Sequence, residues 1–314
     1  MATAVVATAY GGPEVLSLVE VEVPAPGPGR VTIAVRAAGV NPFDYKVYSG
    51  AFGTDPSKLP IRPGLEVSGV VTAVGPDAVG PAGPISVGDE VIAQVSGGYA
   101  SAVDAAAASV VPKPADVEWK QAAGLLSVGG TAVHMLVAAG VGPGDTVLVH
   151  GAAGSVGALA AQLAVARGAR VIGTASPGRH ERLRAYGVEP VAYGPGLADR
   201  VRALAPKGID AALDTVGTDE AVDVSLALVP DRNRIASIVA FGRAAADGFK
   251  VLGMGPGADP GTEIRGNAWR ELLPLLSAGK LDLPIAKTFP LSEASAAHEF
   301  VMDGHAGGKV ILLP

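Results

Sequence analysis

"GDTVLVHGAAGSVGALAAQLAVARGA", residues 144–169, changes periodicity at its centre. "TVLVH" (146–150) is a compact, β-branched run, whereas from 155 to about 167 the apolar residues recur at helical spacing. Gly151, Gly154 and Gly157 lie where the strand turns into the helix. Such a turn suits a bound phosphate. Glycine lets the backbone approach a pyrophosphate closely, and a helix N-terminus offers N–H groups and partial positive charge. The spacing is G-x-x-G-x-x-G, and in a chain with 43 glycines the triplet alone would also pass for ordinary turns. The strand before it and the helix after it make it a dinucleotide loop.

Around this loop, strands and helices alternate. "ARVIGTA" is followed by a helix at 178–186, "PVAY" by one at 197–205 and "IDAALDTV" by one at 219–228; "RIASIVA" is a further strand. The alternation predicts a parallel, doubly wound sheet. Upstream, "EWKQAAGLLSVGGTAVHMLVAAG" reads as helical with an interruption at Gly129–Gly130. To about residue 112 the chain is rich in Gly and Pro, with short apolar runs, which predicts an all-β or barrel-like region with an exposed loop at 75–86. Downstream come a helix at 263–278, "IAKTFPL", a helix at 292–302 and "GKVILLP", a β-rich end expected to return to the first region.

The strand after the glycine loop ends in Thr174-Ala175-Ser176, without the acid that usually binds an NAD ribose. Ser176 and Arg179 follow instead, a hydroxyl and a guanidinium suited to a 2′-phosphate, so NADPH is expected over NADH. Arg182 or Arg184 is read as part of a solvated helix face. Composition agrees with a globular chain: 49% hydrophobic, 17% charged. A net charge of −6 without long basic runs argues against nucleic acid. No run of about 18 uncharged apolar residues indicates a membrane span. The N-terminus does not read as a signal peptide, so a cytoplasmic location is expected. With no cysteine, disulfides, thiolate metal sites and a cysteine nucleophile are excluded together.

Nine segments in order now resemble the medium-chain dehydrogenase/reductase superfamily, in its zinc-free quinone oxidoreductase-like branch. They are "AAGVNPFDYKVYSG" (37–50), "RPGLEVSGVVTAVG" (62–75), "VGDEV" (87–91), "GGYASAV" (97–103), "VPKP" (111–114), "TA" (131–132), "VHGAAGSVG" (149–157), "LDTVG" (213–217) and "GGKVIL" (307–312). The resemblance implies a GroES-like β-barrel domain (1–112 and 261–314) beside a Rossmann NADPH-binding domain (113–260), with the active site in the cleft between them. Zinc-dependent relatives carry a ligand cysteine where Asn41 stands and Gly-His-Glu where this chain has Gly64-Leu65-Glu66. The five histidines (134, 150, 180, 298 and 305) lack metal spacing, so no metal is expected.

The resemblance further places Asn41 and Thr131 near the nicotinamide, Gly151, Ala153, Gly154, Ser155, Val156 and Gly157 at the pyrophosphate, and Thr174, Ser176, Arg179 and Tyr193 at the adenosine end. Val216, Ile238 and Val239 would line the dinucleotide path, or simply pack in the core. "Asp44-Tyr45-Lys46" is similar to enone and enoyl reductases. Four of the fourteen aromatic residues, Phe43, Tyr45, Tyr48 and Phe52, fall within ten positions, suited either to a flat conjugated substrate or to packing under the barrel. Lys46 would stabilise the oxygen charge that hydride addition creates, or else be a surface lysine; Asn41, Tyr45 and Tyr48 complete the expected catalytic set. The expectation is an NADPH-dependent, zinc-free reductase of quinones or α,β-unsaturated carbonyls. The alternatives are a zinc alcohol dehydrogenase relative with an altered site and a non-catalytic NADPH-binding protein. A homodimer is expected through a strand at 248–254.

Overall fold

The computed structural model describes residues 1–304 and 306–314, so His305 lies outside the described residues. The chain forms two compact units, residues 1–127 with 269–314, and residues 128–268.

The first unit is GroES-like. Its long strand Arg30–Val40 pairs antiparallel with Glu66–Val74, Ala102–Ala106 and Lys309–Leu313. The last strand therefore closes the sheet begun by the first part of the chain. The alternating β-branched residues point Ile33, Val35, Val67, Val71, Val91, Val103 and Val310 into one buried cluster. The 75–86 segment is more than the expected loop. It carries a small hairpin, Val79–Gly80 against Gly83–Pro84, and buries Ala78.

The second unit is a Rossmann sheet of six parallel strands. In space they run Glu189–Val191, Arg170–Thr174, Thr146–His150, Ala211–Asp214, Ile235–Ser237 and Lys250–Val251. The order reverses at Thr146–His150, the first strand of the unit. Ligands of such sheets bind outside the carboxyl ends of the strands at this reversal. Leu148, Ile172, Val201, Ala212, Val222 and Ile235 belong to its core.

Four local expectations are corrected. Helix Trp119–Ala138 runs through Gly129–Gly130 without a break. Glycine costs a helix about 1 kcal/mol, and the helix bears that cost at Gly130, where the contact is an ordinary one, while a close neighbour calls for glycine at Gly124. A Cβ at Gly130 would meet the Arg265 carbonyl oxygen at 3.4 Å, and one at Gly124 would meet Lys309 Cγ at 2.7 Å. The same helix is long and apolar enough to cross a membrane, yet 78% of the qualifying stretch is buried within the protein. The helix expected over 263–278 is two, Thr262–Asn267 and Trp269–Ser277. The strand expected from "RIASIVA" stops at Ser237, because the Ser237 hydroxyl takes the N–H groups of Val239 and Ala240 and bends the chain into helix Phe241–Asp247. The edge strand is only Lys250–Val251, since Gly248 (φ 76°) and Gly253 (φ 123°) turn the backbone away on either side.

Candidate functional site

Each glycine of the 151–157 loop has its own physical task. Gly151 sits at φ 73°, where a side chain would be strained and would also collide with Thr215 and Val216. Gly157 packs so tightly that a Cβ would stand 2.2 Å from the Gly151 carbonyl oxygen. Gly154 is exposed, and an added Cβ would meet only that oxygen, at 3.4 Å. It is the N-cap of the twelve-residue helix Ser155–Ala166, and no side chain caps that helix. A helix end left uncapped, behind a residue without a side chain, is a seat for an anion. Ser155 and Val156 stand half-exposed in its first turn. Thr174 is buried and works from behind: its hydroxyl accepts the Gly151 N–H at 3.0 Å and its carbonyl accepts that of Ala152 at 3.0 Å.

At the end of Arg170–Thr174, Ser176 and Arg179 are half-exposed in the turn that opens the next helix, while His180 bonds back to the Ala175 carbonyl. Of the two arginines expected on a solvated helix face, Arg184 is the one that lies there, and Arg182 has another task. It is half-buried and donates to the Ala153 carbonyl at 2.8 Å, bracing the glycine loop; Arg184 is exposed. Tyr193, Val216 and Val239 remain 55%, 43% and 38% exposed beyond the carboxyl ends of three strands of this sheet, of which those before Val216 and Val239 are neighbours, so they are not core packing. Ile238 is half-buried, and Thr131 is buried within helix Trp119–Ala138.

In the first unit, Asn41 caps helix Pro42–Tyr48, with Pro at the first position and Asp44 at the third accepting the Asn41 N–H at 2.8 Å. The Asn41 side chain is locked. Its amide nitrogen donates to Glu66 at 3.1 Å, and its oxygen accepts Lys309 Nζ at 2.5 Å. Lys309 also pairs with Glu66 at 2.8 Å, and all three residues are buried. Glu66 takes a further hydrogen bond from the Ser127 N–H. These residues do not fit a zinc ion: Asn41 and Leu65 stand where a cysteine and a histidine would bind, and Glu66 is neutralised by an ammonium.

Behind the helix runs a buried polar chain. Tyr99 donates to Asp44 at 2.9 Å; its oxygen then accepts from His298 Nε2 at 3.0 Å, and His298 Nδ1 accepts from Tyr48 at 2.5 Å. Burial pushes the Asp44 carboxyl up to about 6, against the pull of the Asn41 and Tyr99 hydrogen bonds. Burial also pushes His298 down to about 4, so it is neutral. Tyr48 is fully buried, and its hydroxyl is committed to His298. The catalytic place expected for it does not fit; it is a packing and hydrogen-bonding residue. Tyr45 and Lys46 are half-exposed, while Phe43 packs on the largely exposed Phe52 with ring centroids 5.4 Å apart. Glu66, Tyr99, His298 and Lys309 were not among the residues the sequence singled out for roles. Glu66, Tyr99 and Lys309 did lie in segments that carry the resemblance, "RPGLEVSGVVTAVG", "GGYASAV" and "GGKVIL"; His298 had no such signal.

Two family models match. One, described as alcohol dehydrogenase GroES-like domain, covers residues 27–141, and the other, described as zinc-binding dehydrogenase, covers 186–312. Human quinone oxidoreductase is 31% identical over 97% of this chain and 95% of its own length. The chloroplastic NADPH-dependent alkenal/one oxidoreductase of Arabidopsis thaliana is 31% identical over 97% of this chain and 78% of its own. The Streptomyces orinoci spectinabilin polyketide synthase protein NorB is 34% identical over 91% of this chain, which spans only 13% of that protein. Among solved structures, Escherichia coli quinone oxidoreductase complexed with NADPH superposes with a TM-score of 0.85 at 27% identity, over 99% of this chain and 100% of that one. An NAD-dependent alcohol dehydrogenase superposes with a TM-score of 0.86 at 30% identity, over 99% of both chains.

Proposed function

The chain belongs to the medium-chain dehydrogenase/reductase superfamily, in its quinone oxidoreductase-like group, and from that premise we propose an NADPH-dependent, zinc-independent reductase of quinones or α,β-unsaturated carbonyls. The uncapped helix behind Gly154 carries the reading, with Ser176 and Arg179, rather than an acid, at the end of the neighbouring strand. Bound there, NADPH supplies a hydride. The helix N-terminus holds its pyrophosphate; Ser176 and Arg179 hold its 2′-phosphate, with Tyr193 beside the adenosine; Val216, Ile238 and Val239 line the rest of the path. Steady oxidation of NADPH against a panel of quinones and enones tests the reading. A protein that binds NADPH but turns over none of them is not a reductase of this class.

Arg179→Ala is expected to weaken NADPH binding roughly 10- to 100-fold and leave NADH nearly unchanged, since one charge-assisted bond to phosphate is worth about 1.5–3 kcal/mol. Titration of both cofactors against parent and variant checks this; an unchanged ratio removes Arg179 from the site.

Lys46 is proposed as the cation that meets the developing enolate or hydroquinone oxygen, on the helix whose N-cap, Asn41, is held by Lys309 and Glu66. Lys46→Met keeps most of the apolar stem and is expected to lower kcat about 10- to 100-fold with NADPH affinity unchanged; the effect stays below that of an enclosed oxyanion donor because Lys46 is half-exposed. Parental kcat on every accepted enone returns Lys46 to the surface. Two copies are proposed to associate beside the edge strand Lys250–Val251, whose outer side is met within the chain only by Asp259, through the Val251 carbonyl at 3.0 Å and the Gly253 N–H at 2.8 Å among the described residues; light scattering that gives a monomer mass at micromolar concentration refutes this.

A further inference from the structure

The loops after strands Ala211–Asp214 and Ile235–Ser237 are tied together from inside the sheet. Asp214 Oδ1 accepts the N–H groups of Val216 at 3.0 Å and Gly217 at 2.9 Å. Its Oδ2 accepts the Ser237 hydroxyl at 2.7 Å. The Ser237 oxygen in turn accepts the N–H groups of Val239 at 3.2 Å and Ala240 at 3.0 Å. One carboxylate and one hydroxyl thus organise four backbone N–H groups on two adjacent loops. Asp214 and Ser237 are 1% and 0% exposed, so neither can touch a ligand. Asp214 makes no ion pair within 4 Å among the described residues; its hydrogen-bond donors are two backbone N–H groups and a hydroxyl.

The clamp presents Val216 and Val239 to solvent, although neighbouring valines of this unit are buried. Their placement is graded along the sheet. A Cβ on Gly151, where the phosphate loop starts, would lie 2.7 Å from Val216 Cγ1, and one on Gly217 would lie 2.7 Å from Val239 Cγ1. The two valines therefore lead away from the phosphate loop in sequence. They do so on the side opposite Ser176 and Arg179, because the strands bearing the two groups flank Thr146–His150 on opposite sides. With the 2′-phosphate end at Arg179, the flat ring at the other end of the dinucleotide falls on the valines.

We infer that Asp214 and Ser237 are positioning residues for the nicotinamide end of the cofactor, acting through Val216 and Val239. The inference rests on the NADPH reading above and adds to it a division of labour: the glycine loop and Arg179 bind the phosphates, and the Asp214–Ser237 clamp shapes the apolar floor beyond them. Ser237→Ala deletes the relay oxygen with little loss of volume. Asp214→Asn keeps the shape but turns the acceptor facing Ser237 into a donor, so the hydroxyl loses its acceptor.

Calorimetric titration with NADP and with adenosine 2′,5′-bisphosphate, a fragment that lacks the nicotinamide half, separates the two ends. Both variants are expected to weaken NADP binding about tenfold or more while the fragment stays within about twofold, since hydrogen bonds to the clamped loops are lost only at one end. Ser237→Thr, which restores the hydroxyl, is expected to bind NADP like the parent. Parallel weakening of both ligands makes the clamp merely structural and overturns the inference, as does unchanged NADP binding in Ser237→Ala. A parent that binds the fragment and NADP equally well also overturns it. A parent that binds neither ligand sinks the cofactor reading itself and the inference with it.

Discussion

Gly154→Asp is expected to abolish NADPH binding, weakening it about a thousandfold or more (~4 kcal/mol), while the protein melts within a few degrees of the parent. The loss follows from where the side chain goes. At Gly154 the backbone has φ −77° and ψ 170°, a conformation any residue adopts, and an added Cβ meets only one atom at 3.4 Å. The fold therefore tolerates the change, and Asp is a good N-cap for the helix it precedes. The same carboxylate takes the N–H groups that would bind the pyrophosphate and sets a negative charge against it. Gly157→Ala provides the contrast. Its Cβ would stand 2.2 Å from the Gly151 carbonyl oxygen, so this variant is expected to lose stability as well as cofactor. Thermal melts paired with NADPH titrations check both. Near-parental affinity in Gly154→Asp would place the cofactor elsewhere.

What was legible in the sequence was local. The loop at 151–157 announced itself because a period-two run, three glycines and a helical run follow one another within a few turns. The 219–228 helix was read to its ends because Thr218 caps it and Asp219 and Glu220 favour its first turn. Gly129–Gly130 misled for the converse reason: two glycines weaken a helix by propensity, but tertiary packing holds this one, with Val128, Ala132 and Val133 buried on either side of the pair. The buried polar groups were illegible for the same cause. Lys309 reaches Asn41 across 268 positions, and Tyr48 meets His298 across 250. Nothing within either segment marks its partner, so Tyr48 read as a free phenol and His298 as one more histidine. Arg182 is the same lesson on a smaller scale: exposed by helical spacing, it is held by a carbonyl 29 residues away.

Between pH 6.5 and about 4 the protein is expected to lose at least about 3 kcal/mol of stability, and Asp44→Asn is expected to lose about 3 kcal/mol more. His150 and His298 are both buried, and burial holds each near 4 against an ordinary value of 6.5. In that window the unfolded chain binds protons at both rings and the folded protein does not. Stability contributed by each neutral ring is full above 6.5 and falls as the pH drops toward 4, by about 3 kcal/mol per ring. Asp44 works the other way. Burial raises it from 3.8 to about 6, so on acidification below 6 the folded protein takes up a proton that the unfolded chain does not, and regains about 3 kcal/mol by pH 4. One histidine is thus offset by the carboxyl at the far end of its own hydrogen-bond chain, and His150, together with the buried His134, is left to set the net slope. Carboxylates held low by arginines, such as Asp145 against Arg234, act mainly at more acid pH, whereas His134, which burial also holds below its ordinary value, adds to the loss in this window. Urea denaturation from pH 7 to 4.5 reads the slopes, which matter here more than absolute stabilities because each variant also loses hydrogen bonds. Asp44→Asn should slope more steeply than the parent and His298→Gln less steeply. If Asp44→Asn keeps the parental slope, Asp44 does not titrate in this range and the compensation is absent.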